Sequence, residues 1–396
     1  MDIQMQYTPE SELSDRIAKF QNKLSNRDID GALIVQKADL YYFSGTAQNA
    51  HLYIPAQGKP LLMVKKSLRR AVEESALKNI IALNSLKELK EHIVSANNPD
   101  KIGFEMDVLP AKMFLLYQKL LAPSAIVDIS ETVRQVRMIK SEHEINLIKK
   151  SADLNFTMFS EVSNFIKEGM PEVELAGMLE AVYRRNGHQG AVRVRGFNSE
   201  LYYGHCMSGW NLSYPSFFDG PVGGTGTNPS YPQGAGLKKI GKNEPIMVDY
   251  AGILNGYIVD QARMFSIGAL SDKFIDAYEV ALNIKAKIVS QAVPGTSGQD
   301  LYDTAHNMAS EAGLEDYLMG YENGVSFIGH GVGIELDELP VIARNFDMSL
   351  ESGMVFALEP KFIFPETGAI GIEDTFVVTE NGLEQITYFD ESLHLL

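Results

Sequence analysis

Four acidic residues in the C-terminal half of the chain stand in or beside runs that otherwise read as buried β-strands. Asp249 follows Ile246-Met247-Val248, and Asp260 lies in Tyr257-Ile258-Val259-Asp260. Glu359 ends the run Met354-Val355-Phe356-Ala357-Leu358, Glu373 follows Ala369-Ile370-Gly371-Ile372, and Asp374 adds a fifth acid. A carboxylate beside a buried strand is costly unless it is paired or binds a cation. Asn255-Gly256 is a strong hairpin-turn dipeptide, so Asp249 and Asp260, eleven residues apart, fall on neighbouring strands. Arg263 is one available partner, but acids on four apolar strands exceed what ion pairing readily supplies. A histidine, His330, sits among glycines in Phe327-Ile328-Gly329-His330-Gly331-Val332-Gly333. Glycines there let other groups approach the backbone closely. An imidazole with several carboxylates suits divalent Mn, Co or Fe, with Zn possible. Two ions about 3.5–4 Å apart would need carboxylates able to bridge them.

The 396 residues suggest about two domains. In the first third, Leu13, Ile17, Phe20 and Leu24 have helical spacing. Ala32–Val35 is a strand candidate, followed by a second apolar run at Tyr41–Phe43. His51–Ile54 and Pro60–Val64 read as two arms of a hairpin around Gly58. Leu68–Ala76 reads as a helix, and Ile80–Leu83 as a strand. Ile102–Phe104, Ala111–Leu121 and Ala125–Asp128 repeat strand, helix, strand. Strands alternating with helices argue for an α/β domain, which we place at residues 1–135. The second domain, 136–396, begins with helices from Ser141 to about Phe165 and from Glu172 to Arg185, then strand-like and Gly-rich segments to about Ile267. The order then returns: helices Asp272–Gln291 (Ser271 as N-cap) and Gln299–Ala312, then strands to the end. Gly169, Leu175 and Gly187 have spacings of 6 and 12, which Gly295, Leu301 and Gly313 repeat 126 residues later. Gly204-His205 and Gly329-His330 recur at an offset of 125. These matches point to an internal duplication of a helix–helix–sheet unit about a pseudo-two-fold axis, with chance similarity of two helical hairpins as the alternative.

The net charge of −16 argues against nucleic-acid binding through a general field. A single cysteine excludes an internal disulfide and fits a reducing compartment. With no membrane span expected and no secretory pattern at the start, the expectation is a soluble cytoplasmic protein.

These residues resemble the creatinase, prolidase and methionine aminopeptidase family, the "pita-bread" metallopeptidases, and above all its two-domain members, prolidase and aminopeptidase P. The family pattern is Asp, Asp eleven later, His in a Gly-His-Gly-Val-Gly run, Glu-Pro, then a final Glu. It fits Asp249, Asp260, His330, Glu359-Pro360 and Glu373. The N-terminal part resembles the family through Asp30-Gly31-Ala32-Leu33 and Tyr41-Tyr42-Phe43-Ser44-Gly45, and the join through Arg137-Met138-Ile139-Lys140-Ser141 with Glu144-Ile145. The resemblance implies an N-terminal α/β domain of the creatinase type and an α+β pita-bread domain. It also implies a homodimer, small peptide substrates, and two divalent ions, Mn or Co before Zn or Fe. Asp260 and Glu373 would bridge the ions, with Asp249 on one and His330 and Glu359 on the other. Glu359 would act as proton acceptor and shuttle. Arg263 would orient Asp260 or a neighbouring carboxylate, and Tyr257 is expected beside it as a further supporting group. In prolidase-like members the attacked group is the amide before a proline.

Two departures stand out. The family's substrate-handling histidine, 17–18 residues before the first Asp, falls near Ser230-Tyr231, and no histidine lies between His205 and His306. A second family histidine, seven after the ligand His, is replaced by Asp337. A carboxylate cannot donate to a carbonyl oxygen as an imidazole can, and losing one such donor typically costs about 2.7–4 kcal/mol. Asp337 could be protonated by burial, act as a base, or bind a substrate amine. His205 could replace the missing imidazole from another strand or be structural. The Gly220–Thr227 loop lacks the Lys-Ser/Thr of a nucleotide loop and is expected to line a pocket. Tyr202, Tyr203, Trp210 and Tyr214 are core or pocket residues, and Cys206 is structural. The leading expectation is therefore a two-metal Xaa-Pro hydrolase. The alternatives are a metal-dependent C–N hydrolase or lyase acting on a small non-peptide substrate, and a non-catalytic binding protein.

Overall fold

The computed structural model describes residues 5–321 and 324–396. They form two compact units: the chain up to Arg137 with Arg195–Asn198, and Met138–Val194 with Ser199–Leu396.

In the first unit α1 (Glu10–Asn26) buries Leu13, Ile17, Phe20 and Leu24, the face expected from their spacing. It is followed by β1 (Gly31–Ile34), α2 (Lys37–Ser44), β2 (Asn49–Pro55), β3 (Leu61–Lys66), α3 (Leu68–Glu74), β4 (Ile80–Ala82), α4 (Glu88–Asn97), β5 (Lys101–Phe104), α5 (Ala111–Leu121) and β6 (Ala125–Asp128). The sheet order is β4-β3-β2-β1-β5-β6. β2 and β3 form the expected antiparallel hairpin. The run Tyr41–Phe43 is helical: the Gln36 side chain caps Asp39 N, and Gly45, at φ +73°, ends the helix.

The second unit begins within α6 (Ser130–Met138). It continues with α7 (Glu142–Phe165), α8 (Glu172–Arg185), β7 (Gly204–Ser208), β8 (Ile246–Leu254), β9 (Tyr257–Ser266), α9 (Asp272–Gln291) and α10 (Gly298–Glu311). Then come β10 (Phe327–Gly331), β11 (Glu338–Ala343), β12 (Val355–Leu358), β13 (Lys361–Phe364), β14 (Gly368–Gly371), β15 (Asp374–Thr379), β16 (Gly382–Gln385) and β17 (His394–Leu395). Ser141 opens α7 through a reciprocal capping box with Glu144. Ser271 precedes α9 without a side-chain cap bond.

Two sheets, β17-β9-β8-β7 and β11-β10-β12-β15-β16, each follow a helix pair. An antiparallel bridge between Ala262 and Glu373 joins them. Gly169 and Gly187 have φ of +81° and +96°, and Gly295 and Gly313 have +94° and +68°. The repeated spacing thus marks four left-handed positions at equivalent points of the two helix pairs, where glycine is the unstrained residue. Leu175 and Leu301 between them are buried. Gly204 and Gly329 repeat for a different reason. A Cβ on Gly204 would lie 1.9 Å from the Tyr250 ring, and one on Gly329 would lie 2.6 Å from Ala357 O. Between α7, α8 and β8 sits a core that includes Leu154, Phe159, Leu179, Tyr183 and Val248. Each fully buried large apolar side chain there contributes roughly 1.5–3 kcal/mol. Among the described residues, no helix is long and apolar enough to cross a membrane.

Candidate metal centre

The two sheets meet where the acidic residues project. Asn255 and Gly256, at φ +51° and +84°, make the β8–β9 turn. The resulting register sets Asp249 opposite Ala262 and Asp260 opposite Ala251. β7 adds His205 on the other side, in register with Asp249. His330 lies in β10, paired with Ala357 of β12. Glu359 follows β12, where its N–H donates to Ile328 O at 2.8 Å. Glu373 precedes β15 and is held by the bridge to Ala262.

Asp260, His330 and Glu373 place one ligand atom each within 4.8 Å of one another. His330 Nε2 is 3.7 Å from both Glu359 Oε1 and Glu373 Oε1. An imidazole nitrogen with carboxylate oxygens matches the donor preferences of Mn, Fe, Co or Zn, so these residues fit one divalent ion. Asp249 and the outer oxygens of Glu359 and Glu373 are engaged differently. Lys361, the first residue of β13, directs Nζ to Asp249 Oδ2 at 2.7 Å, Glu359 Oε2 at 2.8 Å and Glu373 Oε2 at 2.8 Å.

The charge states follow from this geometry. Burial raises the Asp249 carboxyl to about 6, with Lys361 opposing and Glu373 reinforcing the rise. Burial and Glu373 lift Glu359 to about 7 against the pull of Lys361. Asp260 is raised by burial, Glu373 and Asp249. Glu373 goes the other way: despite burial, Lys361 and His330 hold it down near 2. Burial disfavours a charged His330, but Glu373, Asp337 and Glu359 outweigh it and raise its pKa.

These residues form the floor of a cleft. Tyr202, Tyr203 and His205 line one wall, Gly220–Val222 of the Gly-rich loop another, and Phe327, Leu336 and Asp337 a third. His205 is buried, 3.3 Å from Gln233 Oε1, and burial lowers its pKa to about 4. Asp337 stands on the rim with its side chain 57% exposed, 3.5 Å from His330 Nδ1. Ser230 and Tyr231 do not line the cleft; Tyr231 packs on Tyr202, with ring centroids 4.5 Å apart. Trp210 and Tyr214 also lie outside it, half-exposed. Cys206 is buried, and burial raises its thiol pKa further.

Of the two carboxylates expected for Arg263, Asp260 or a neighbour, it takes the neighbour, Asp374. Arg263 does not contact the Asp260 carboxylate. It is fully buried and donates to Glu373 O at 2.9 Å, Ala262 O, Phe389 O, Asp390 O and the Asp374 carboxylate at 2.7 Å. It therefore holds the main chain of Glu373 and the side chain of Asp374. Tyr257 directs its hydroxyl to Glu144 Oε1 at 3.1 Å. A strand pattern tells which face a side chain occupies but not which partner it finds. Asp374 is likewise structural, paired with Arg263 and with Lys285 Nζ at 2.8 Å. The sequence pattern does not single out Lys361. Its one signal is a lone cation two residues after Glu359, opening the apolar run Phe362-Ile363-Phe364.

The model of metallopeptidase family M24 matches residues 146–380, and that of the creatinase/prolidase N-terminal domain matches residues 16–139. An Xaa-Pro dipeptidase of Pyrococcus furiosus is 26% identical over 384 residues, covering 96% of this chain and 100% of that protein. A Bacillus subtilis protein described as an uncharacterized peptidase is similar to the same extent. Among solved structures, the prolidase from Pyrococcus horikoshii superposes with a TM-score of 0.81 at 24% identity, covering 96% of this chain and 99% of that one. The Xaa-Pro dipeptidase from Bacillus anthracis does so at 0.84 and 23%, covering 97% and 100%.

Proposed function

The chain belongs to metallopeptidase family M24, and from that premise we propose that it is a prolidase-like hydrolase that cleaves the amide bond before proline in small peptides. The observation that carries this is the gathering of Asp260, His330 and Glu373 on the floor of one cleft, in a chain similar end to end to Xaa-Pro dipeptidases. Those three residues would hold a divalent ion, which would supply Lewis acidity and a water acidic enough to attack near neutral pH. Glu359, a buried carboxyl beside these ligands, would take up and return the proton. Tyr202 and Tyr203 on the wall give apolar faces suited to a proline ring.

The test is release of free proline from Xaa-Pro dipeptides by the full chain supplied with Mn or Co. Metal-loaded protein that leaves a panel of such dipeptides intact overturns the reading.

A second reading has its own support: a C–N hydrolase or lyase acting on a small non-peptide substrate. It is favoured by Asp337 on the rim, where a donor to the substrate carbonyl is expected. Turnover of small amides without proline, in protein inert to Xaa-Pro dipeptides, would decide for it.

A further inference from the structure

The side chain of Lys361 is 1% exposed, so its ammonium is buried. Its three N–H donors are all used, one each on Asp249, Glu359 and Glu373. Those acceptors come from β8, from the residue after β12 and from the residue before β15. One ammonium thus gathers three carboxylates from three separate segments, the task a metal ion performs when it is the common ligand of a site. It is also covalently tethered, so no chelator can remove it.

The same oxygens are the ones a two-ion centre would require. Asp249 Oδ2 and the outer oxygens of Glu359 and Glu373 already accept hydrogen bonds of 2.7–2.8 Å. A second divalent ion bound to them would lie against Nζ, where like charges repel at close range in a water-poor site. The inner face differs. Among the described residues, Asp260 forms no ion pair with a lysine or arginine, and it clusters with His330 and the other oxygen of Glu373.

We propose that Lys361 is a built-in cation replacing one of the two metal ions, so that the chain takes up a single divalent ion at Asp260, His330 and Glu373. Glu373 is then shared between the ion and the ammonium. The inference rests on the metal-centre reading of the cleft but not on which bond is cleaved, because its readout is metal content.

The experiment uses the full chain, stripped with chelator and titrated with Mn. Stoichiometry is read by calorimetry and elemental analysis, and ion pairing by electron paramagnetic resonance. The wild type is expected to take up one ion per chain and give the spectrum of an isolated Mn. Lys361→Ala, which removes the ammonium and opens its space, is expected to take up two and show the spectrum of a coupled pair. Lys361→Arg, which keeps the charge, is expected to stay at one. A wild-type chain holding two ions or none overturns the proposal, as does a Lys361→Ala chain holding no more than the wild type. If Lys361→Ala folds poorly because its carboxylates repel, the proposal requires that Mn restore its unfolding temperature. Failure of that rescue also overturns it. An inert protein with one ion per chain would sink the peptidase reading and leave this one standing.

Discussion

Arg263→Lys keeps the charge of the most heavily bonded residue near the site but removes its fork. Arg263 is fully buried and serves four main-chain carbonyls as well as Asp374. A lysine ammonium is a single point donor group and cannot span that arc. Two of the carbonyls, Ala262 O and Glu373 O, keep their bridge bonds to each other's N–H at 3.4 and 3.2 Å. Asp390 O retains His394 at 3.3 Å. Phe389 O, which receives both Nε and Nη2, loses the most. One buried acceptor left unsatisfied costs about 1–3 kcal/mol, and weakening the remaining bonds to a buried charge adds a comparable amount. We therefore expect a loss of about 2–4 kcal/mol. At roughly 2–4 °C per kcal/mol for a unit of this size, the unfolding temperature should drop by about 4–16 °C. Because Arg263 also fixes the main chain of Glu373, Mn affinity should fall by about 10–100-fold. Differential scanning calorimetry and Mn titration measure the two effects. A variant within about 1 kcal/mol of wild type and with unchanged Mn affinity would show that the guanidinium fork positions nothing.

Other outcomes can be checked separately. Asp260→Ala and Glu373→Ala should each abolish Mn uptake, and full uptake in either would remove that residue from the ligand set. Glu172 is fully buried and accepts from Ser208 N, Ser208 Oγ, Asn211 Nδ2 and Gly236 N at 2.6–3.0 Å. Glu172→Ala orphans these donors and should cost at least about 3 kcal/mol in urea unfolding; a loss below about 1 kcal/mol refutes it. His188 donates from Nε2 to Ala251 O and accepts Gly190 N–H at Nδ1, so it must be neutral, and burial lowers its pKa to about 4. Its contribution is complete above pH 6.5 and is lost as pH falls toward 4, because the unfolded chain binds the proton first. From pH 7 to pH 5 the stability advantage of wild type over His188→Gln should shrink by about 2 kcal/mol, and a constant difference would contradict a neutral His188. Asp337→His should raise Xaa-Pro turnover by about 100-fold if a missing donor limits the reaction, and unchanged rates would clear Asp337 of that role.

Much of the fold is written in local chemistry. The Asn255-Gly256 turn fixes the β8–β9 hairpin and with it the spacing of Asp249 and Asp260. The glycines repeated at an offset of 126 are legible because left-handed backbone tolerates little else. Tyr41–Phe43 is ambiguous in principle, since a short apolar run suits a strand or a buried helix turn equally; the cap at Gln36 and the left-handed Gly45 decide it. α4 escapes notice because Glu88–Asn97 buries only Leu89 and Ile93 and so carries a weak period. The acids of the site stand out because they interrupt apolar runs, whereas their cations do not. Lys285 on α9 and Lys361 on β13 look like ordinary surface lysines until the fold buries them.

That asymmetry gives the site its logic. The clustered acids of the site, unlike Glu172, are stabilised by positive partners, and the chain supplies them in two ways. Asp374 is answered wholly by tethered groups, Arg263 and Lys285, so it is structural although it adjoins Glu373. Asp249, Glu359 and one face of Glu373 are answered by Lys361. Asp260 alone among these acids has no tethered cation of its own among the described residues, and burial with two acidic neighbours raises its pKa. A carboxylate in that position is stabilised by whatever diffusible cation can also satisfy His330 and the free oxygen of Glu373. On the proposed reading, Lys361 limits where a metal can bind by engaging Asp249 and one oxygen each of Glu359 and Glu373, which leaves Asp260 and the glutamate oxygens that face the imidazole.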